Sequence, residues 1–377
     1  MKKIRILAVN DPPVYAYLHD AENGITKKWE AKQQVKVIID IIDWDQYKGK
    51  LDEALYSQKS EYDIVMNPGN FWLPELVEEH LIIPLDEELK DYDLGSIIDS
   101  IKEEMKYKNQ LYMIPSFSDG HILFYRKDKL AEKGITVADK SISISGLKNL
   151  VHQFEEEESV IALKADQTEI LPDVLPFLWG RGVELLDKPP YLSNIEQAKL
   201  ALEDYLYLKN YCPKGIENYG NLQVKEAIQN GEVAIGVSWG GQAAAILNPD
   251  ENPHVDQIGF LTYDVPCNTT WGFVVASNSK NIDVAIDYLK YVTNQENDKL
   301  VGRISGGPVR KTTYLDSNER QYCPWYDIQF HMLNHAKQVP KTAEFAKNSG
   351  DLYSLLHRIF TNEISLNEFF ERLKADN

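Results

Sequence analysis

Cysteine is scarce in this 377-residue chain: Cys212, Cys267 and Cys323 are all it has, widely spaced and odd in number. They form no CxxC pair and no metal-ligand spacing, so neither a disulfide framework nor a cysteine-held zinc is indicated. His331 and His335 stand four apart, a spacing that can put two imidazoles on one helix face, but no HExxH acid accompanies them and no metal is expected. Long apolar runs are missing as well; none approaches the roughly 20 residues that span a bilayer. A GxSxG elbow, a Walker A loop and a GxGxxG after the first apolar run are all absent. The glycine-rich segment Gly302–Arg310 (GRISGGPVR) reads as a loop that follows a helix instead of a strand, and Pro308 removes an N–H that a phosphate would use. No cofactor is therefore expected. Basic residues are outnumbered, with 40 Lys and Arg against 58 Asp and Glu, and the net charge of −18 repels nucleic acid and anionic membrane surfaces.

What the chain does have is length for two domains and a composition rich enough in apolar and aromatic residues to bury cores. The first part alternates strand and helix signals. Ile4–Val9, Val35–Ile42 and Tyr62–Met66 are runs of β-branched and apolar residues; Tyr15–Lys32, Gln46–Gln58 and Leu73–Glu79 carry helical spacing. This order predicts an α/β fold with mostly parallel sheets flanked by helices. Ligands of such sheets sit outside the carboxyl ends of the strands, which draws attention to Asp11, Trp44, Asn67 and Trp72. The middle, to about Pro266, is more helical, with candidates at Ser145–Phe154, Ile195–Tyr211 and Gln223–Gln229 and an acidic run at Glu155–Glu158 that reads as a solvated helix end. Trp271–Ala276 is a strand, Asp283–Thr293 a helix, and the tail from Tyr326 mostly helical. With no low-complexity tether, two lobes joined by chain crossings are expected: residues 1–117 with 268–316, and 118–267 with 317–377.

In Leu111–Leu130 (LYMIPSFSDGHILFYRKDKL) a polar elbow around Asp119 separates two apolar runs. A carboxylate held between buried strands is costly without a hydrogen-bonding partner. Tryptophans recur beside polar or glycine positions near element ends: Trp44-Asp45, Phe71-Trp72, Trp179-Gly180, Trp239-Gly240 and Trp271-Gly272. Flat rings facing sugar C–H patches and carboxylates, amides or guanidinium groups facing hydroxyls are the chemistry of a carbohydrate site. Covering about 60 Å² of sugar face with one ring is worth roughly 1.5 kcal/mol.

The segments Trp44–Leu51 (WDQYKGKL), Tyr62–Asn67 (YDIVMN), Leu76–Asp86 (LVEEHLIIPLD), Gln110–Leu130, Gly231–Pro249, Trp271–Thr293 and Gly306–Lys311 (GGPVRK), in this order and spacing, resemble an extracellular solute-binding protein of a bacterial ABC importer, in the maltose-binding-like sugar class. The resemblance implies a two-lobe periplasmic-binding-protein-like fold (type II) with a ligand cleft between lobes, closure on ligand, delivery to ABC transporter permease subunits, and no catalysis. It implies ligand-binding roles for Asp119, Trp239, Trp271, Arg310, Asn67, Trp72 and, more weakly, Trp44. Asp11 and Trp179 join this set from the sheet-edge and tryptophan patterns alone. The expected partner molecule is a small carbohydrate, and the protein is expected to be a monomer.

Met-Lys-Lys resembles the start of a signal peptide, but Arg5 interrupts the apolar stretch, and Ile4–Val9 reads better as a first strand. The expected place of action is extracytoplasmic, as a cell-surface lipoprotein or in the periplasm, with the signal absent from this chain; the alternative is a cytoplasmic sugar sensor. Two further alternatives stay open: a glycoside-processing enzyme with Asp119 as one carboxylate, and a binding protein for a polyamine, peptide or metal ion.

Overall fold

A computed structural model describes residues 2–18, 24–57, 62–154 and 157–374. The chain forms two compact units, Met1–Asp119 with Thr269–Tyr326 and Gly120–Asn268 with Asp327–Asn377. Its strands are β1 (Lys2–Val9), β2 (Val35–Ile42), β3 (Ile64–Pro68), β4 (Lys106–Tyr107), β5 (Gln110–Leu111), β6 (Ile114–Arg126), β7 (Ser141–Ile142), β8 (Ile161–Ala162), β9 (Ile235–Trp239), β10 (Ile258–Tyr263) and β11 (Asn268–Val275).

In the first unit β2, β1 and β3 run parallel, with Lys2 opposite Val35 and Ile6 opposite Ile64; β11 joins β3 antiparallel, placing Trp271 opposite Pro68. The buried positions of β1 are aliphatic throughout, as expected of a strand covered on both faces, and β3 is buried along its whole length with Asn67 as its polar residue. Trp29 anchors the helix Ile25–Gln33 edge-on to Tyr288, 5.0 Å between rings, and its Nε1 donates to Asp287. In the second unit β8 and β9 are parallel, β9 and β10 flank β6 antiparallel, and β7 adds parallel to β10. Apart from the small β4–β5 hairpin, the antiparallel pairs described all involve β6 or β11, the strands in which the chain passes between the units.

The strand positions follow the hydrophobic runs, but several segments differ from the sequence reading. The polar elbow at Asp119 is instead part of one continuous buried strand, Ile114–Arg126. Its small polar side chains have tertiary partners: the Ser116 hydroxyl lies 2.5 Å from that of Tyr17, and Ser118 lies 3.2 Å from Thr270 Oγ1. Gly302–Arg310 is helix up to Ser305, ended by Gly306 at φ 118°, a left-handed position that favours glycine. An unforeseen helix, Ile170–Gly180, is buried nearly all round and contains Pro176. The helix expected over Tyr15–Lys32 is two helices, Pro12–Leu18 and Ile25–Gln33, and residues 19–23 lie outside the described residues, as do Glu155 and Glu156 of the acidic run. The last passage between units falls after Tyr326 rather than near Ser317, and Ser317–Tyr322 lies with the first unit, where Glu319 pairs with Arg303 at 2.6 Å.

One buried acid in the first unit carries a pH prediction. Asp298 accepts from Val309 N at 2.8 Å and Thr313 Oγ1 at 2.5 Å, yet burial pushes its pKa up to about 6 against those bonds. The folded state thus holds this proton more tightly than the unfolded chain does. Its stabilisation is complete below about pH 4 and is lost as pH rises through 6, on the order of 2–3 kcal/mol. Denaturant unfolding should show that Asp298→Asn flattens the fall in stability between pH 4 and 6; an unchanged slope would assign that fall to other groups.

Candidate functional site

In the first unit three indoles converge where strands and helices end. Trp44 opens the helix Trp44–Tyr56, Trp72 precedes the helix Leu73–Glu78, and Trp271 lies on β11. Trp44 and Trp72 stack at 5.7 Å with an interplanar angle of 6°; Trp271 meets them edge-on at 5.8 and 6.4 Å and stacks on Phe117 at 6.2 Å. Tyr47 braces the group from below, with its hydroxyl 2.8 Å from Met66 O. Trp44 and Trp72 remain half-buried, whereas Trp271 is buried.

Asn67 sits at the same sheet end, opposite Gly272, fully buried; its Nδ2 donates to Gly69 O, and its Oδ1 has no hydrogen-bond partner among the described residues. Gly69 is obligatory in the turn that follows: at φ 44° a Cβ would lie 2.6 Å from Glu104 Oε2. Glu104, not singled out from the sequence, accepts from Thr270 N at 2.7 Å and Thr270 Oγ1 at 2.8 Å, and so ties the end of the helix Asp99–Glu104 to β11. Trp44 Nε1 is also buried with no hydrogen-bond partner among the described residues. Asp11 is half-buried beyond the end of β1, and Asp119 is buried in β6. Arg310 has a different setting. It is 1% exposed, and its guanidinium donates to Asp93 O, Ser96 Oγ, Tyr92 OH and Thr293 O inside the first unit.

In the second unit Trp239 ends β9 and pairs with His121 of β6, ring to ring at 4.6 Å. Its Nε1 donates to Glu169 Oε2 at 3.0 Å, and Asn221 Nδ2 donates to Glu169 Oε1 at 3.1 Å. Burial pushes the partly exposed Glu169 up to about 7, although the nearby Lys164 charge and the Trp239 bond act the other way. Trp239 delivers the chain straight into Gly240, where a Cβ would stand 2.1 Å from Gln329 Oε1, so the Gln329 amide packs directly against the strand end. Trp179 lies at the other end of the helix that follows Glu169, about 15 Å along its axis, with Lys337 Nζ 5.6 Å from its ring centroid. A hollow of about 610 Å³ in this unit is lined by Lys148, Arg181, Asp204 and Tyr263 among others, and includes none of the residues singled out from the sequence.

The geometry thus gathers Trp44, Trp72, Trp271 and Asn67 in one unit and joins Trp239 to a carboxylate in the other: rings beside hydrogen-bonding groups. The sequence comparison agrees on the class of protein that carries them. Residues 15–299 match the family model described as bacterial extracellular solute-binding protein. The chain belongs to that family. Among its relatives, the diacetylchitobiose binding protein DasA of Streptomyces coelicolor is 25% identical over 323 residues, 79% of this chain and 72% of the relative. The mannitol-binding protein of Pseudomonas aeruginosa is 22% identical over 280 residues, 68% of this chain and 64% of the relative. In fold, the chain is similar to maltose-bound MalE3 of T. maritima, with a TM-score of 0.85, 17% identity and coverage of 99% of this chain and 98% of the other. The architecture of this family member is therefore the α/β periplasmic-binding-protein-like one that the sequence implied. No helix among its described residues is long and apolar enough to cross a membrane.

Proposed function

We propose that this solute-binding protein takes a carbohydrate, a sugar or polyol, through the Trp44–Trp72–Trp271 cluster of the first unit and the Trp239–Glu169 pair of the second. The observation that carries the reading is the Trp239–Glu169 bond: an indole and a carboxylate, fixed to each other, offer a surface for sugar C–H groups and an acceptor for hydroxyls in one place. The relatives' ligands, diacetylchitobiose, mannitol and maltose, support the class. Asp11, Asn67 and Asp119 are proposed as polar contributors. Arg310 is left out, because it is buried with its Nη1 and Nη2 donors engaged within the first unit, and so is Trp179, which lies at the far end of the helix that follows Glu169. The role is delivery to ABC permease subunits outside the cytoplasm, without catalysis, by a monomer whose ligand shifts the population towards a closed form.

A thermal-shift screen over a panel of sugars, polyols and amino sugars tests the class. At least one carbohydrate should raise the melting temperature by several degrees at millimolar concentration. The same hit should lower the radius of gyration in solution scattering and be recovered unchanged after incubation. A panel without a hit, alongside a shift with a polyamine or peptide, would overturn the carbohydrate reading.

A further inference from the structure

Directly behind Trp239 the second unit encloses an ion pair. Lys164 and Asp173 are both fully buried, with Lys164 Nζ 2.9 Å from Asp173 Oδ1. Asp173 Oδ2 also accepts from Tyr205 OH at 3.1 Å and from Lys164 N at 3.2 Å, and Lys164 Nζ donates to Val237 O at 3.3 Å. His121 completes the group. Its Nδ1 accepts from Cys267 N, which leaves the proton on Nε2, 3.6 Å from Asp173 Oδ1. Stability alone does not call for such a pair, since well-packed apolar residues of similar volume commonly do as well or better. Its location points to a different use. Lys164 Nζ lies 4.3 Å from the centre of the Trp239 ring, and the His121 ring lies 4.6 Å away at a tilt of 34°. Lys164 and Glu169 come from one short segment, so the cation under the ring and the acceptor of its N–H are set together.

We propose that Lys164 and Asp173 are positioning residues for ligand binding, holding the Trp239 indole in a single orientation before ligand arrives. This rests on the reading of Trp239 as a binding surface. A side chain fixed in advance gives up no rotamer freedom on association, a gain of roughly 3–10-fold in affinity for one ring. The pair is buried and touches no ligand; its effect passes through the indole.

The test uses the whole chain labelled with 5-fluorotryptophan, the Trp239 resonance being assigned with Trp239→Phe. In the unmodified sequence that fluorine signal should be single and narrow without any ligand. In Lys164→Met/Asp173→Leu, which removes both charges and keeps the volume filled, it should broaden or split while the other tryptophan signals hold their positions. Affinity for the carbohydrate found in the thermal-shift screen should fall 3–10-fold in the same variant. Lys164→Gln, which keeps a hydrogen bond to Asp173 but places no charge under the ring, is read in the same way should the double variant fail to fold. An unchanged Trp239 signal in a folded variant would overturn the proposal. The fluorine readout needs no sugar, so a failed carbohydrate reading leaves this outcome legible. Conversely, sugar binding with an unmoved signal would retire only the positioning role.

Discussion

Replacing Trp239 with alanine is expected to weaken carbohydrate binding by roughly 30–150-fold, equivalent to about 2–3 kcal/mol. Two losses add. The indole surface that would cover a sugar face is removed, worth roughly 1.5–2.5 kcal/mol at about 25 cal/mol per Å² for some 60–100 Å². The hydrogen bond that orients Glu169 goes with it, leaving that carboxylate held by Asn221 alone among the bonds described here. Trp239 ends a strand and is 7% exposed, so the fold should also lose some stability, but β9 stays paired with β6 and β8 on either side. Calorimetric titration of the variant against the screened sugar measures the effect. Trp239→Phe, which keeps a ring without an N–H, should fall between the two. An alanine variant within twofold of the parent would remove Trp239 from the site.

The second large effect is one of stability. Arg310→Ala should cost on the order of 3–5 kcal/mol, because the change empties the volume of a fully enclosed side chain and strips partners from several buried groups at once. The guanidinium bonds Tyr92 OH at 2.8 Å, Thr293 O at 2.7 Å, Asp93 O at 2.9 Å and Ser96 Oγ at 2.5 Å, and it sits 5.1 Å from the Tyr92 ring centre. These contacts fasten the segment 92–96 to the end of the helix Ile282–Val292 and to the strand-like bridge between Ile97 and Arg310. Chemical denaturation gives the loss directly. Where the variant remains folded, sugar affinity should stay within about twofold, since the Nη1 and Nη2 donors are engaged inside the first unit and the remaining Nε is fully buried. A variant of normal stability with weakened binding would return Arg310 to the ligand site, as the family resemblance had implied.

The parts of the fold that could be read from sequence are those in which the local pattern of apolar and polar residues agrees with the element that finally forms. Val35–Ile42 is strand to the residue, and Leu73–Glu78 and Ile282–Val292 lie within one residue of the helices expected there. The misread parts share one cause: tertiary partners override the local signal. Ser116, Ser118 and Asp119 look like a turn, but Tyr17 and Thr270 supply partners that let the serines sit in a buried strand. Ile170–Gly180 has two prolines and no polar face, so periodicity cannot mark it as a helix; it is one because it is enclosed on all sides.

The candidate site was legible to a similar depth. Indoles next to glycines or polar residues singled out Trp44, Trp72, Trp239 and Trp271, and the glycines prove to be close-packing positions: a Cβ on Gly272 would lie 2.5 Å from Met113 Cγ. The acids that hold these elements, Glu104 and Glu169, gave no spacing signal, because their partners lie 166 and 70 residues away. Lys164 did leave a trace. A lysine inside Val160-Ile161-Ala162-Leu163-Lys164-Ala165 is a charge in an otherwise apolar segment, which by itself demands an acid nearby, and Asp173 is that acid.

The most direct test of the central claim is a calorimetric titration of one screened carbohydrate into the parent chain, Trp44→Ala and Trp239→Ala, one residue drawn from each unit's surface. The account predicts a single site in the parent and at least tenfold weaker binding in both variants. Undiminished binding in both would contradict it.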